Sequence, residues 1–342
     1  MFLICSPFES KEKQLLFLKA FLIDFDEKIF FISEYDYDHA QVVKVPVQKI
    51  FPKIPLLRGL IKPLLPYLKY RNEKHKNILI IHDEIFSSTM IHALFTKIFM
   101  RTKVLVYGAE SVPYSPMQKL ASWFFSPFVD AVLCPSRDAC DQVKKAGIQK
   151  VRQCPLPTEP SRNEIRYTNH ICRIGFFGKL VGQKGIQLLC EAMKEFPSSS
   201  LIVYGDGPKL KRFKDYKIDY RGVYSKDKID LAFSEIDLLV VPSISQPRVR
   251  EQFGRVVVEA MERGVLVIGS NSGAIPEVIE DERLIFQENN VSAIADKIRY
   301  VLSLPESEVV KIKKTLRERF ERKYSAAAIK TIVFESLSEM SL

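Results

Sequence analysis

Along almost the whole chain, short apolar runs alternate with segments of helical periodicity, and the alternation restarts after a Pro-rich break. Apolar runs that do not alternate with polar residues fit strands buried on both faces. Helices returning between them make the expected sheet parallel and the fold class α/β. In the first half the pattern predicts strands at 1–5, 28–33, 42–45, 77–82, 102–107 and 130–134, with helices at 11–23, 57–70, 87–99, 115–126 and 136–146. Cys154-Pro155-Leu156-Pro157-Thr158-Glu159-Pro160-Ser161-Arg162-Asn163 reads as an interdomain linker. Beyond it, strands are expected at 171–177, 200–204, 218–220, 237–241 and 265–268. Helices are expected at 185–196, 226–235, from about Gly254, at 274–279, 291–303, 306–321 and 325–339. At 342 residues the chain exceeds the size at which one core keeps growing, so two α/β domains with a cleft between them are expected.

Composition narrows the function classes. The six cysteines, at 5, 134, 140, 154, 172 and 190, form no CxxC pair and read as buried thiols rather than zinc ligands or a disulfide framework. The apolar start Met1-Phe2-Leu3-Ile4-Cys5 lacks a basic lead and is too short for a signal sequence. No run approaches the ~18 apolar residues of a membrane span, so a cytoplasmic protein is expected, soluble or peripheral on the inner face of the membrane. The net charge of +10 is unevenly spread. Between 51 and 76, seven bases (Lys53, Arg58, Lys62, Lys69, Arg71, Lys74 and Lys76) face the single acid Glu73 and interleave with Leu, Ile and Tyr. That mixture favours an anionic membrane surface, with an ordinary amphipathic connection as the plainer reading. No nucleic-acid reading module is visible.

Three strand-end loops in the second half converge in chemical character. Gly175-Phe176-Phe177-Gly178-Lys179-Leu180-Val181-Gly182-Gln183-Lys184-Gly185 offers glycines, two lysines and a following helix, which suits a phosphate. Gly205-Asp206-Gly207-Pro208 is a tight turn after a strand. The third loop carries Glu251 into a helix that bears Glu259, and is preceded by the strand Leu238-Leu239-Val240-Val241 and by Pro242-Ser243. Carboxylates accept hydrogen bonds in pairs and so suit the vicinal hydroxyls of ribose or a sugar. Either glutamate alone is more often a solvated helix acid; the three loops together point to a nucleotide-sugar site.

On these residues the second half, roughly 170–304, resembles the C-terminal domain of GT-B glycosyltransferases of the GT4 type (glycosyl transferases group 1), which are retaining enzymes. The matches are Gly178-Lys179-Leu180 with Lys184-Gly185, Gly205-Asp206-Gly207-Pro208, Arg221-Gly222-Val223, Asp237 to Ser243, Glu251-Gln252-Phe253-Gly254, Glu259-Ala260-Met261 and Ser272 to Ile279. The resemblance implies two Rossmann-like domains facing each other across a cleft. These would be an acceptor domain over 1–165, completed by a helix at 325–342, and a donor domain over 166–324. It implies that Lys179 and Lys184 bind the donor diphosphate, with Lys179 in place of the family's commoner arginine. Glu259 would bind ribose and Glu251 the transferred sugar. Gly178, Gly205, Gly207, Arg221, Phe253 and Gly254 would complete the nucleotide-sugar site.

The first half departs from the family. Ser6-Pro7-Phe8-Glu9-Ser10-Lys11 stands where many members have a glycine pair, and Tyr107-Gly108-Ala109-Glu110 stands where several have a histidine. Glu110 and His82 are the candidate catalytic-side residues there, although a single histidine at a strand end is often structural. The implied reaction transfers a sugar, with retention, from a nucleoside diphosphate to a glycan or lipid-linked acceptor in cell-surface glycan synthesis. The donor is a substrate, and neither a cofactor nor a metal is expected. Asp24-Phe25-Asp26 and Asp36-Tyr37-Asp38 read as turn acids rather than metal ligands. A catalytically silent subunit that recruits a partner transferase, or a sugar-nucleotide epimerase, are the alternatives.

Overall fold

The computed structural model describes residues 2–5, 29–32, 42–45, 78–83, 85, 87–108, 116–145, 147–162, 171–208, 216–246 and 250–341. The expected helices at 11–23 and 57–70, the basic stretch 51–76, both aspartate triplets, Ser6 to Lys11, and Glu110 lie outside these residues. The chain divides into two compact units, one of Met1–Pro157 with Ala326–Leu342 and the other of Thr158–Ser325.

The first unit is built on a parallel sheet of β1 (Phe2–Cys5), β2 (Ile29–Ile32), β3 (Val42–Val45), β4 (Ile78–His82), β5 (Lys103–Tyr107), β6 (Ala131–Cys134) and β7 (Val151–Gln153), in the order β3-β2-β1-β4-β5-β6-β7. β4 and β6 are buried along their whole length, as continuous apolar runs require in a sheet covered on both faces. Helices α1 (Ile91–Met100), α2 (Pro116–Phe125) and α3 (Arg137–Lys145) follow β4, β5 and β6. α1 and α3 send Ala93, Met100, Ala139, Cys140 and Val143 into a core with Leu79, Val104 and Val132. β7 was not expected: Val151, Arg152 and Gln153 are all half-buried at the sheet edge and form no apolar run.

The second unit repeats the plan with β8 (Arg173–Phe177), β9 (Ser200–Tyr204), β10 (Asp219–Gly222), β11 (Leu238–Val241), β12 (Leu266–Ser270) and β13 (Ile285–Phe286), in the order β10-β9-β8-β11-β12-β13. Its helices are α4 (Ile186–Ala192), α5 (Ile229–Ser234), α6 (Arg255–Glu262), α7 (Ile275–Ile279), α8 (Val291–Leu302) and α9 (Glu306–Lys323). α6 packs on α9 and on β12, and α8 packs on α4. The last helix, α10 (Ala326–Ser341), returns to the first unit and lies against β5 and β6.

Both sheets are doubly wound. Each reverses strand order once, between β1 and β4 in the first unit and between β8 and β11 in the second. In open α/β sheets the crevice at the carboxyl ends of such a strand pair is where ligands bind.

Two readings of local burial change. The segment expected as a Pro-rich linker begins buried, from Cys154 to Pro157, and the Tyr107 hydroxyl donates to the Pro155 carbonyl. Burial pushes the Cys154 thiol up to about 12. Cys134, Cys140, Cys154 and Cys190 are buried as expected, but Cys172 is exposed, because it precedes β8 at the rim of the sheet.

Candidate functional site

The switch point of the second unit gathers three loops through backbone contacts. After β8, the Gly178 N–H donates to the Tyr204 carbonyl at 3.0 Å, and the Leu180 N–H donates to the Asp206 carbonyl at 2.8 Å. The first glycine loop is thereby zipped onto the second. Gly205, at φ +143°, brings its Cα so close to Gly178 that a Cβ would lie 1.8 Å from the Gly178 carbonyl oxygen. Only glycine permits that approach. Gly207 donates its N–H to Asp206 Oδ1 at 2.7 Å and closes the turn. On the other side, the Ile244 N–H donates to the Gln183 carbonyl at 2.7 Å, which ties the loop after β8 to the loop after β11. Gly185 faces Pro242 there at φ +65°, with no room for a side chain.

This frame aims side chains inward. Lys184 Nζ donates to Glu251 Oε2 at 2.5 Å, and Ser243 Oγ donates to the same oxygen at 3.0 Å. The Glu251 backbone carbonyl accepts the Ala274 N–H at 2.9 Å, which fixes the loop that carries it against the start of α7. Behind Ser243, Ser270 Oγ donates to the Ser243 carbonyl at 2.6 Å. Gly254 follows Glu251 closely, and a Cβ built on it would sit 4.0 Å from Glu251 Cγ. Phe253 turns its ring into the core, 6.1 Å from Tyr324 between centroids.

Glu259 is the fifth residue of α6 and is buried. Burial first, and the Glu259 charge second, push the Tyr224 phenol well above its ordinary range. A carboxylate and a tyrosine hydroxyl therefore share one electrostatic neighbourhood on the flank of this helix. Lys179 is exposed next to Gly178 on the same loop as Lys184.

Of the remaining expected site residues, Arg221 is engaged elsewhere in the second unit and His82 belongs to the first unit. Arg221 lies on the edge strand β10 and is exposed, paired with Asp219 at 2.8 Å and Glu235 at 3.8 Å. Glu235 also accepts the Tyr204 hydroxyl at 2.5 Å, and burial together with that bond raises Tyr204 to about 12. His82 ends β4 at the switch point of the first unit, in register with Cys5 of β1. Its imidazole is buried beneath Gly108, whose absent Cβ would lie 2.8 Å from His82 Cδ2. Glu110 falls outside the described residues. Among the described residues, no group of three or more His, Cys, Asp or Glu side chains is placed to hold a metal ion.

In the sequence Ser243 is no more than the end of a strand motif, yet it is the hydroxyl that holds Glu251. The available signal was its place, two residues past a buried strand at the switch point.

Residues 172–319 match the family model described as Glycosyl transferases group 1. Over this segment the chain is similar to glycosyl transferases group 1, and its fold is GT-B. The structure of Anabaena Alr3699/HepE in complex with UDP-glucose superposes with a TM-score of 0.72 at 14% identity, over 99% of each chain. The sulfoquinovosyl transferase SQD2 of Arabidopsis thaliana is 29% identical over 162 residues, which are 45% of this chain and 29% of that protein. A phosphatidylinositol N-acetylglucosaminyltransferase subunit of Arabidopsis thaliana is 22% identical over 77% of this chain and 60% of its own length. The chain thus covers less than two thirds of the length of these two curated relatives.

Proposed function

We propose that the chain is a retaining glycosyltransferase that moves a sugar from a nucleoside-diphosphate sugar to a glycan or lipid-linked acceptor. The observation that carries this reading is the Lys184–Glu251–Ser243 cluster, formed where the glycine loop after β8 meets the loop after β11 at the switch point of the second unit. Lys184 and Lys179 neutralise the leaving diphosphate, where negative charge develops in the transition state. Glu251, held through Oε2 by Lys184 and Ser243, presents its other oxygen to hydroxyls of the transferred sugar. Glu259 accepts the ribose hydroxyls, and the backbone around Phe253 and Gly254 meets sugar and phosphate oxygens at the start of α6. The fixed cations do the neutralising work, so no metal is assigned.

His82 and Glu110 are the proposed residues on the acceptor side. A lipid-linked acceptor is supported by the names of relatives such as the phosphatidylinositol N-acetylglucosaminyltransferase subunit, and a cytoplasmic, peripheral setting on the inner membrane face suits it. The missing glycine pair between Ser6 and Lys11 favours one other reading, a silent subunit that recruits a partner transferase.

A thermal-shift screen of UDP- and GDP-sugars, followed by assay of donor hydrolysis, separates these readings. Ligand binding raises apparent stability by mass action. A stabilising donor that is also turned over supports the transferase. A donor that stabilises without turnover supports the silent subunit, and no stabilisation by any donor contradicts both.

A further inference from the structure

The first unit carries a helix whose amphipathic face is turned outward. The fully buried residue of α2 is Ser122, while Gln118, Ala121 and Phe125 are half-buried. Met117, Leu120, Trp123 and Phe124 are exposed, Trp123 at 72% and Met117 at 67% of their surface. Their spacing is that of one helical stripe, the kind that a surface helix ordinarily lays on its own core. The 3-10 turn Ser126–Phe128 that ends α2 packs on α1, whose last turn exposes Ile98 and Phe99. Six large apolar side chains on two adjoining elements are more than the scattered single exposures of an ordinary surface.

Among the described residues of α1, α2 and their ends, the exposed charges are basic. Arg101, Lys103 and Lys119 are exposed beside it, and neither α1 nor α2 contains an acidic residue. Asp130, just past the turn, is occupied by Lys97 at 2.5 Å and by the Val104 N–H at 2.7 Å. A two-fold contact between copies would set the patch against itself, with bases facing bases and no carboxylate on either helix to offset them. An anionic lipid surface accepts both components, since aromatic and aliphatic side chains enter the headgroup boundary while Lys and Arg meet phosphates. We propose that the outward face of α2, with the last turn of α1, docks on an anionic membrane surface. These residues are distinct from the basic stretch 51–76, and the docking does not depend on the transferase reading.

Trp123 is the only tryptophan of the chain and lies within the patch, so its emission reports this contact alone. The intact protein is titrated with phosphatidylcholine vesicles, with and without phosphatidylglycerol, while tryptophan emission, acrylamide quenching and co-sedimentation are followed. The expected result is a blue shift and protection from quenching on the anionic vesicles, both reversed by high salt. Met117→Ser with Leu120→Ser keeps the reporter and should weaken binding about tenfold or more. Lys119→Gln should weaken it about fivefold. Three results overturn the proposal: no binding; co-sedimentation with unchanged Trp123 emission, which puts the contact elsewhere; or emission that depends on protein concentration without lipid, which makes the face a contact between protein molecules. No donor enters the assay, so its outcome is separable from that of the transferase reading.

Discussion

Two cation–carboxylate pairs sit at opposite ends of the same two strands, β8 and β11, and they are built differently. At the amino ends, Asp237 accepts the Cys172 and Arg173 N–H groups at 3.1 and 2.9 Å, and the Arg173 guanidinium at 3.2 Å on Oδ2 and 2.7 Å on Oδ1. Burial alone would raise its carboxyl, but these bonds hold it below the usual carboxylate range. Both oxygens are used, two of the donors are backbone, and the pair bolts the strand starts together. At the carboxyl ends, the described bonds to the Glu251 carboxylate both fall on Oε2, and both come from side chains that can rotate. A carboxylate saturated by backbone donors is structural, whereas one held by a single oxygen can exchange partners with a ligand.

The comparison breaks first at Lys184. Lys184→Ala should lower turnover a hundredfold or more, the scale of losing one electrostatic contact to developing charge, with the melting temperature nearly unchanged. Asp237→Asn should do the reverse. It should cost about 2 kcal/mol in urea denaturation, a figure reduced because Arg173 is partly exposed, and leave donor affinity unchanged. Because the folded carboxyl titrates below its unfolded value, this contribution is present above about pH 4 and fades as pH falls below that. Equal effects of both variants on turnover would erase the distinction.

Ser243→Ala is a smaller test of the same kind. As a positioning residue, Ser243 should influence kcat about tenfold with little change in KM, and Ser243→Thr should restore much of the loss. The smallest effect is expected at Lys313, buried on α9 within electrostatic reach of Asp237 and Arg173. Burial lowers it to about 8. The unfolded chain therefore binds more protons than the folded one between about pH 8 and 10.5, and this lysine's penalty is full below 8 and relieved as pH rises. Lys313→Met should gain roughly 1 kcal/mol at pH 7, and the gain should close toward pH 10.5. The buried thiols Cys154 and Cys190, both raised to about 12, act in the opposite direction above pH 9, so the difference between variant and wild type is the quantity to follow.

The alternation of apolar runs with helical segments was enough to read the α/β class, because strands buried on both faces leave long unbroken apolar signals. Two short edge strands left almost none: β13 is two residues long, and β7 is half-buried. The glutamate spacing of Glu251 and Glu259 was visible in the sequence, as were the glycine loops. The Oε2 clamp by Ser243 was not, because it depends on where the loops after β8 and β11 meet. Arg221 shows the converse, a motif residue whose side chain the fold engages with Asp219 and Glu235 at a sheet edge. The face of α2 was equally hidden, since Leu120, Trp123 and Phe124 have the composition of a core helix and only burial shows them outside.

Calorimetric titration tests donor binding at the switch point of the second unit. The nucleoside diphosphate of the donor found by screening is titrated into wild type, Glu259→Ala, Lys184→Ala and Asp237→Asn. The first two substitutions should weaken binding at least tenfold, while Asp237→Asn should bind as wild type. Wild-type affinity in both Glu259→Ala and Lys184→Ala would contradict it.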